Sequence, residues 1–382
     1  VVSFEFATAT RIAFGAGKIA EVPAALRAHG ARRVFVTTNG PRLPAVEAAL
    51  TSAGIESVVF RVDHEPTLDM VRAGVSRLLR EGCDAVLGLG GGSAIDLGKA
   101  VAALATNPGD PLDYLEVVGR GQALRVRPLP FVAVPTTAGT GAEVTRNAVI
   151  GVVNAGVKVS LRSPHMLPVL AVIDPDLLVG LPARVVAASG LDAFVHLSEA
   201  FVSCKANPIT DALAIEGLRR SARSLRRAVE SGLDETTRED LSAASLMGGL
   251  CLANAGLGAV HGFAGPLGGT LSAPHGQICA ALLPAVMDVN LRALNERQPV
   301  ALDRYTQMAT VITGKPTASA SDGVAWIREL CAALDMDGLG AFGMTPAAVP
   351  AAVAKAKAAS SMRGNPVALT DAELTEIATR SL

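Results

Sequence analysis

The sequence predicts an α/β domain built on a parallel sheet over residues 1–180, followed by an all-helical domain over 181–382. Three observations point there. The first half alternates short β-rich runs with helical periodicity, the pattern of a parallel sheet wrapped by helices. After Asp174-Pro175 the texture changes to long Ala- and Leu-rich helical stretches with almost no strand signal. Length agrees, since 382 residues exceed the roughly 100–200 of one domain.

In chain order, FEFATATRIAF (4–14) alternates as an extended segment that suits a sheet edge or strand exchange in a homodimer. RRVFVTT (32–38), IESVVFRV (55–62) and DAVLGLG (84–90) have the continuous apolar character of strands buried on both faces. Between them, residues 42–53 and 67–82 carry apolar residues three and four apart, which predicts helices. FVAVP (131–135) and VLAVIDP (169–175) complete the strand set. An Lys at 158, in VKVSL, reads as an ordinary exposed residue.

Composition excludes several functions. Half the residues are hydrophobic, so the chain folds; aromatics are only 3%, which disfavours a stacking platform for single-stranded nucleic acid. A net charge of −1 gives no global attraction to nucleic acid or to an anionic membrane. Arg219, Arg220, Arg223, Arg226 and Arg227 are the local exception, and at helical spacing they read as a solvated face. Five scattered cysteines without a Cys-x-x-Cys pair fit a reducing compartment, and the first 15 residues lack an apolar core of signal-peptide length. We expect a cytoplasmic protein.

Two glycine- and threonine-rich loops follow strands. GLGGGSAIDLGKA (88–100) passes from strand into helix with Gly91, Gly92 and Ser93 at the junction, where backbone amides attract phosphate. Its spacing is neither the Gly-x-Gly-x-x-Gly fingerprint nor a P-loop. VPTTAGTGAEVT (134–145) adds the hydroxyls of Thr136, Thr137 and Thr140, which could reach phosphate or ribose. Two such loops on one sheet predict a nucleotide site.

The second half is organised around Leu241–Met287, a stretch with no Asp, Glu, Lys or Arg. It contains His261 and His275 and is broken by glycines and prolines, so it reads as the buried centre of a helical domain and not as a membrane span. A buried imidazole needs partners for its ring nitrogens. On one straight helix these two would lie roughly 14 × 1.5 Å, about 21 Å, apart; the glycines and prolines let the chain turn back. Upstream, Asp192 and His196 stand four apart in a helical pattern and share a face. One carboxylate and three imidazoles suit Fe(II), Zn(II) or another first-row divalent ion, without selecting among them.

Together, GGGSAID, PTTAGTGAEVT, GLDAFVH, AVHGFAGPLGG, PHG and the ending SMRGNPVALTDAEL resemble the iron-containing (group III) alcohol dehydrogenases of the dehydroquinate synthase-like superfamily. The similarity covers nearly the whole chain. It implies a Rossmann-like NAD(P)-binding domain, a helical metal-binding domain, catalysis in the cleft between them, and a dimer. Residue by residue, it implies metal ligation by Asp192, His196, His261 and His275. Gly91, Gly92 and Ser93 fall on its pyrophosphate loop, and Asp96, Thr136, Thr137 and Lys158 on further cofactor contacts.

Two departures stand out. Many NAD-dependent relatives have an Asp after the second strand that repels a 2′-phosphate; here the position is Asn39, which also fits a plain turn at Asn39-Gly40-Pro41, so NAD and NADP both stay open. Many relatives also have an extra His four residues after the third ligand, where this chain has Gly265. The expected activity is metal-assisted hydride transfer between nicotinamide and a small alcohol or carbonyl, with Fe(II) as the leading metal and Zn(II) as the alternative. His261 and His275 would act at the reacting centre. The rivals are a maleylacetate-reductase-like enzyme acting on an acidic enone and a dehydroquinate synthase-like lyase. The lack of basic residues across 241–287 argues against the lyase, whose substrate carries phosphate.

Overall fold

The computed structural model describes residues 3–382, which include the whole of the extended segment 4–14. Two compact units result. Ala7–Thr137 with Gly141–Val179 form one; Gly180–Leu382, with Ala138–Thr140 and the described residues up to Phe6, form the other.

The first unit contains strands β1 (Ile12–Phe14), β2 (Arg33–Thr38), β3 (Glu56–Arg61), β4 (Ala85–Gly90), β5 (Phe131–Pro135), β6 (Asn147–Val152), β7 (Val157–Arg162) and β8 (Leu170–Ile173). Six of these make a sheet in the order β1-β8-β5-β4-β2-β3, parallel throughout. Helices α1 (Val22–Ala28), α2 (Leu43–Ser52), α3 (Leu68–Glu81), α4 (Gly92–Leu104) and the single turn α5 (Pro111–Tyr114) belong to this unit. The predicted helices at 42–53 and 67–82 are α2 and α3.

Alternation along the strands splits the apolar side chains between two cores. Phe35, Val86, Ala133 and Phe131 pack on one, with Ile95 and Val101 of α4. Val34, Val36, Leu87, Leu89, Val132 and Val134 pack on the other, with Leu43, Val46 and Leu50 of α2. Because both faces are covered, β4 is buried at every residue, which explains its unbroken apolar run. The sheet grows from β2 to β3 on one side, and the chain then returns to place β4 on the other side of β2. The strand order therefore reverses between β2 and β4, at whose carboxyl ends open sheets bind ligands.

Of the extended segment expected over 4–14, only Ile12–Phe14 forms a strand, the edge strand β1, paired with β8 through Ala13 and Val172. The antiparallel hairpin β6–β7 was not predicted. It joins at Gly156, whose φ of +60° suits the turn, and it is fastened to α4, where Asp96 Oδ2 accepts the Val149 N–H at 3.1 Å. Lys158 on β7 corrects its expectation: its side chain is only 15% exposed and is ion-paired with Glu65.

The second unit is helical: α6 (Ala183–Val202), α7 (Pro208–Ser231), α8 (Glu235–Ala255), α9 (Ala259–Leu267), α10 (His275–Arg297), α11 (Leu302–Thr313), α12 (Ala320–Ala333), α13 (Val349–Ala358) and α14 (Asp371–Arg380). By length and composition α6 and α10 could cross a membrane, but 89% and 72% of their apolar windows are buried inside the fold. They are core helices, apolar around most of their circumference because neighbours surround them. Packed on α6 is α7, whose capping box of Asn207 and Thr210 sets its start. The arginines of α7 are an ion-paired face: Arg220 and Arg223 bond Asp240 at 3.2 and 2.6 Å, and Arg219 bonds Glu216 at 2.6 Å. Between α8 and α9 the chain bends by 99° at Ala255–Gly258, with Gly256 at a φ of +68°. This is the reversal the glycines of the charge-free stretch made available.

Candidate active site

Helix α6 carries Asp192, His196 and Glu199 on one face, at spacings of four and three. His261 sits in the first turn of α9 and His275 at the first residue of α10. The start of α10 crosses α6 so closely that a Cβ at Gly276 would lie 2.0 Å from the Ala188 carbonyl oxygen. Only glycine fits there, and the crossing brings His275 beside Asp192.

All four residues implied as metal ligands meet. Asp192 Oδ1 lies 3.8, 3.5 and 3.7 Å from the Nε2 atoms of His196, His261 and His275. The His196 and His261 rings stack with centroids 4.6 Å apart. Two further residues join that were not anticipated. Cys279, one turn after His275, places its sulfur 3.7 Å from Nε2 of both His261 and His275. Glu199 accepts at 2.8 Å from His261 Nδ1, and it also accepts the N–H groups of Val260 at 2.6 Å and His261 at 3.3 Å. Asn365 completes this cap by accepting the Ala259 N–H at 3.2 Å. Carboxylate and amide thus satisfy first-turn donors of α9 that would otherwise be orphaned. The spacings His196-x-x-Glu199 and His275-x-x-x-Cys279 were visible signals, since both place side chains on a ligand-bearing helix face.

Charges in this pocket perturb one another. Burial works to raise the pKa of Asp192, but the imidazoles, His196 foremost, hold it well below the usual carboxylate range. Burial pulls His196 down to about 4, keeping it neutral and able to offer a lone pair. Against the opposing effect of burial, Cys279 and Asp192 raise His261 and His275, and the two imidazoles lower Cys279.

The donor set fits a metal ion. Asp192 Oδ1 is buried without a hydrogen-bond partner, and an uncompensated polar atom of this kind is costly. Bonds of about 2.0–2.1 Å from nitrogen and oxygen to one tetrahedral ion put donor atoms about 3.4 Å apart. The observed 3.5–3.8 Å around Asp192 Oδ1 is close to this. Asp192, His261, His275 and Cys279 hold four donor atoms within 4.8 Å of one another.

In the α/β unit, the loops after β2, β4 and β5 converge at the carboxyl edge of the sheet. Asn39 Oδ1 accepts the Gly91 N–H at 3.2 Å, bridging the two strands where the order reverses. The approach requires glycine at position 90, where φ is +155° and a Cβ would lie 2.2 Å from Asn39 Oδ1. Thr136 N donates to the Gly90 carbonyl at 3.0 Å, and the Thr137 hydroxyl lies 3.4 Å from where a Gly91 Cβ would be. Helix α4 opens at Gly92 and Ser93 with no side-chain cap, which leaves first-turn amides for an anion. Asn39, Gly91, Gly92, Ser93, Thr136 and Thr137 are therefore neighbours. Asp96 and Thr140 are placed differently. Asp96 engages the protein with both oxygens, through Val149 and a 3.1 Å ion pair to buried Lys99. Thr140 belongs to the short segment Ala138–Thr140 grouped with the helical unit, where Gly139 packs on Ser189.

Comparison with known proteins joins both units to one family. Residues 9–175 match the iron-containing alcohol dehydrogenase model, and residues 186–382 match the C-terminal model of the Fe-containing alcohol dehydrogenase family. The 1,3-propanediol dehydrogenase of Klebsiella pneumoniae is 40% identical over 301 residues, 77% of this chain and 76% of its own. A crystal structure of a 1,3-propanediol oxidoreductase superposes with a TM-score of 0.93 at 32% identity, covering 100% of both chains. Sulfoacetaldehyde reductase from Bifidobacterium kashiwanohense, solved in complex with NAD+, gives 0.88 at 27% identity, covering 100% of this chain and 99% of its own. The chain belongs to the iron-containing alcohol dehydrogenase family, oxidoreductases acting on CH–OH groups.

Proposed function

We propose that this enzyme interconverts a short primary alcohol, of the diol or hydroxy-acid kind, with its aldehyde, using NAD(H) or NADP(H) and a divalent ion held by Asp192, His196, His261 and His275. Family membership brings the metal and NAD(H); the substrate class, the choice of nicotinamide, the ligand set and the metal are the proposal. The single observation that carries it is the convergence of three imidazole Nε2 atoms on the unpartnered Oδ1 of Asp192.

When bound, the ion supplies a Lewis acid that polarises the substrate oxygen. The protein's part is to hold four donors in a buried pocket and to fix His261 through Glu199, so that its Nδ1–H is spent on the carboxylate and its Nε2 faces the ion. At the sheet edge, the amides of Gly92 and Ser93, beside Gly91, and the hydroxyls of Thr136 and Thr137 would take the pyrophosphate. The 1,3-propanediol, 4-hydroxybutyrate and sulfoacetaldehyde named for relatives motivate the substrate class. We also propose a cytoplasmic homodimer, which sedimentation of a form lacking residues 1–10 would probe: an unchanged dimer would exclude strand exchange by that segment.

The test is anaerobic loading with Fe(II) or Zn(II), followed by oxidation of NADH or NADPH with a panel of short aldehydes, hydroxyaldehydes and an acidic enone, with and without chelator. Chelator-sensitive oxidation with an aldehyde is expected. Turnover of the enone alone, insensitive to chelator, would replace this reading with an enone reductase.

A further inference from the structure

We propose that Lys99 is a positioning residue of the nucleotide site: its buried ammonium clamps the threonine-bearing loop and strand β6 onto α4, and so shapes the surface that receives the cofactor's pyrophosphate. The inference rests on the nucleotide-site reading above and adds to it a group that acts on that site without touching the ligand.

Lys99 is among the largest side chains wholly shielded from water, in a position lysine takes only when it is paired. Its Nζ donates to the Ala142 carbonyl at 2.9 Å, to Thr145 Oγ1 at 2.9 Å and to the Asn147 carbonyl. Asp96 Oδ1, one turn earlier on α4, lies 3.1 Å away. The three N–H groups of the ammonium are thus all engaged.

These partners lie on separate elements. Ala142 and Thr145 close the loop that begins with Thr136 and Thr137, where Gly141, at a φ of +60°, leads into the short turn Ala142–Val144. Asn147 opens β6, and Asp96 accepts the Val149 N–H of the same strand at 3.1 Å. Toward the sheet, α4 is fixed by close contact, since a Cβ at Gly98 would lie 2.7 Å from Thr37 Oγ1. Lys99 stands seven residues after Gly92, about 10 Å along α4 from its uncapped start. First-turn amides and threonine loop are therefore held in one frame through this ammonium.

Stability alone does not account for the arrangement. Desolvation of both ions offsets most of the attraction in a buried pair, and apolar side chains of similar size often serve as well. An apolar residue, however, cannot direct N–H bonds to fixed acceptors. Without them residues 142–147 are freed from α4, and the loop must be ordered as the cofactor binds, which costs affinity.

The test compares full-length wild type with Lys99→Met, which keeps the length and removes the charge, and with Thr145→Val, which deletes one acceptor and leaves the ion pair. Dissociation constants for NADH and NADPH are read from nicotinamide fluorescence, and those for ADP and adenosine by competition. The dinucleotide and ADP should weaken together, at least about tenfold in Lys99→Met and about threefold in Thr145→Val, with adenosine unchanged because it carries no phosphate. Wild-type affinity for ADP and dinucleotide in the folded variants, or an equal loss for adenosine, would overturn the positioning role and leave the nucleotide site standing. A wild type that binds neither dinucleotide, at concentrations that saturate a known member of the family, would overturn both. Should Lys99→Met fail to melt cooperatively, Thr145→Val decides the matter.

Discussion

Glu199 Oε2 lies 2.8 Å from His261 Nδ1, and the same carboxylate caps the first turn of the helix that bears this histidine. One buried side chain thus orients a metal ligand and anchors its backbone. Glu199→Gln removes the charge but keeps the shape, and metal affinity should fall by about 10–100-fold, as for other carboxylates behind metal-bound histidines. Titration against a competing chelator measures this. Wild-type affinity in the variant would reduce Glu199 to a helix cap.

Asn39 joins the end of β2 to the start of α4 through Gly91, and the family resemblance would set it where an Asp repels a 2′-phosphate. Asn39→Asp retains an acceptor for the Gly91 N–H and adds that charge. The ratio of kcat/KM for NADH over NADPH should rise at least about tenfold, equivalent to about 1.4 kcal/mol. An unchanged ratio would mean that position 39 does not face the adenine ribose.

A Cβ at Gly265 would meet nothing within 4 Å, and Gly265 lies inside α9 without a left-handed backbone. Gly265→His restores the imidazole that many relatives carry and should cost no stability, since glycine is the weaker helix former by a few tenths of a kcal/mol. The melting temperature should hold, and the pH profile of turnover should gain an ionisation near the ordinary histidine value of about 6.5. A drop of several degrees would show that the space is closed.

Glu143 is 1% exposed, and burial pushes its pKa up to about 7, only partly offset by a backbone hydrogen bond and then by Lys99. The sign follows from linkage. The folded form holds the proton more tightly than the unfolded chain, so this contribution is complete below pH 4.5 and is lost as pH rises to about 7. The slope removes on the order of 3 kcal/mol across that window. Glu143→Gln should flatten it, with a urea midpoint at pH 7.5 above that of the wild type. Equal slopes in the two proteins would place the carboxyl in water.

The order of strands and helices was legible because local pattern encodes it. Continuous apolar runs mark doubly covered strands such as β4, and three-to-four spacing marks α2 and α3, whatever their neighbours. Asp192 and His196 could be paired from sequence because four residues on a helix share a face, and the charge-free stretch around His261 and His275 announced burial. The hairpin β6–β7 was not legible, since it stands outside the main sheet and β6 is held by tertiary bonds to Asp96 and Lys99 of α4. Nor was the assembly of the metal pocket. His261 and His275 meet Asp192 only because the chain bends by 99° before α9 and because Gly276 lets α10 press against α6. Glu199 acquires its partners on α9 from that bend, and Cys279 its imidazole neighbours from both. Sequence determined which side chains each helix face offers, through a periodicity that is local. Tertiary structure alone decided which faces meet, because that depends on packing among residues far apart in the chain.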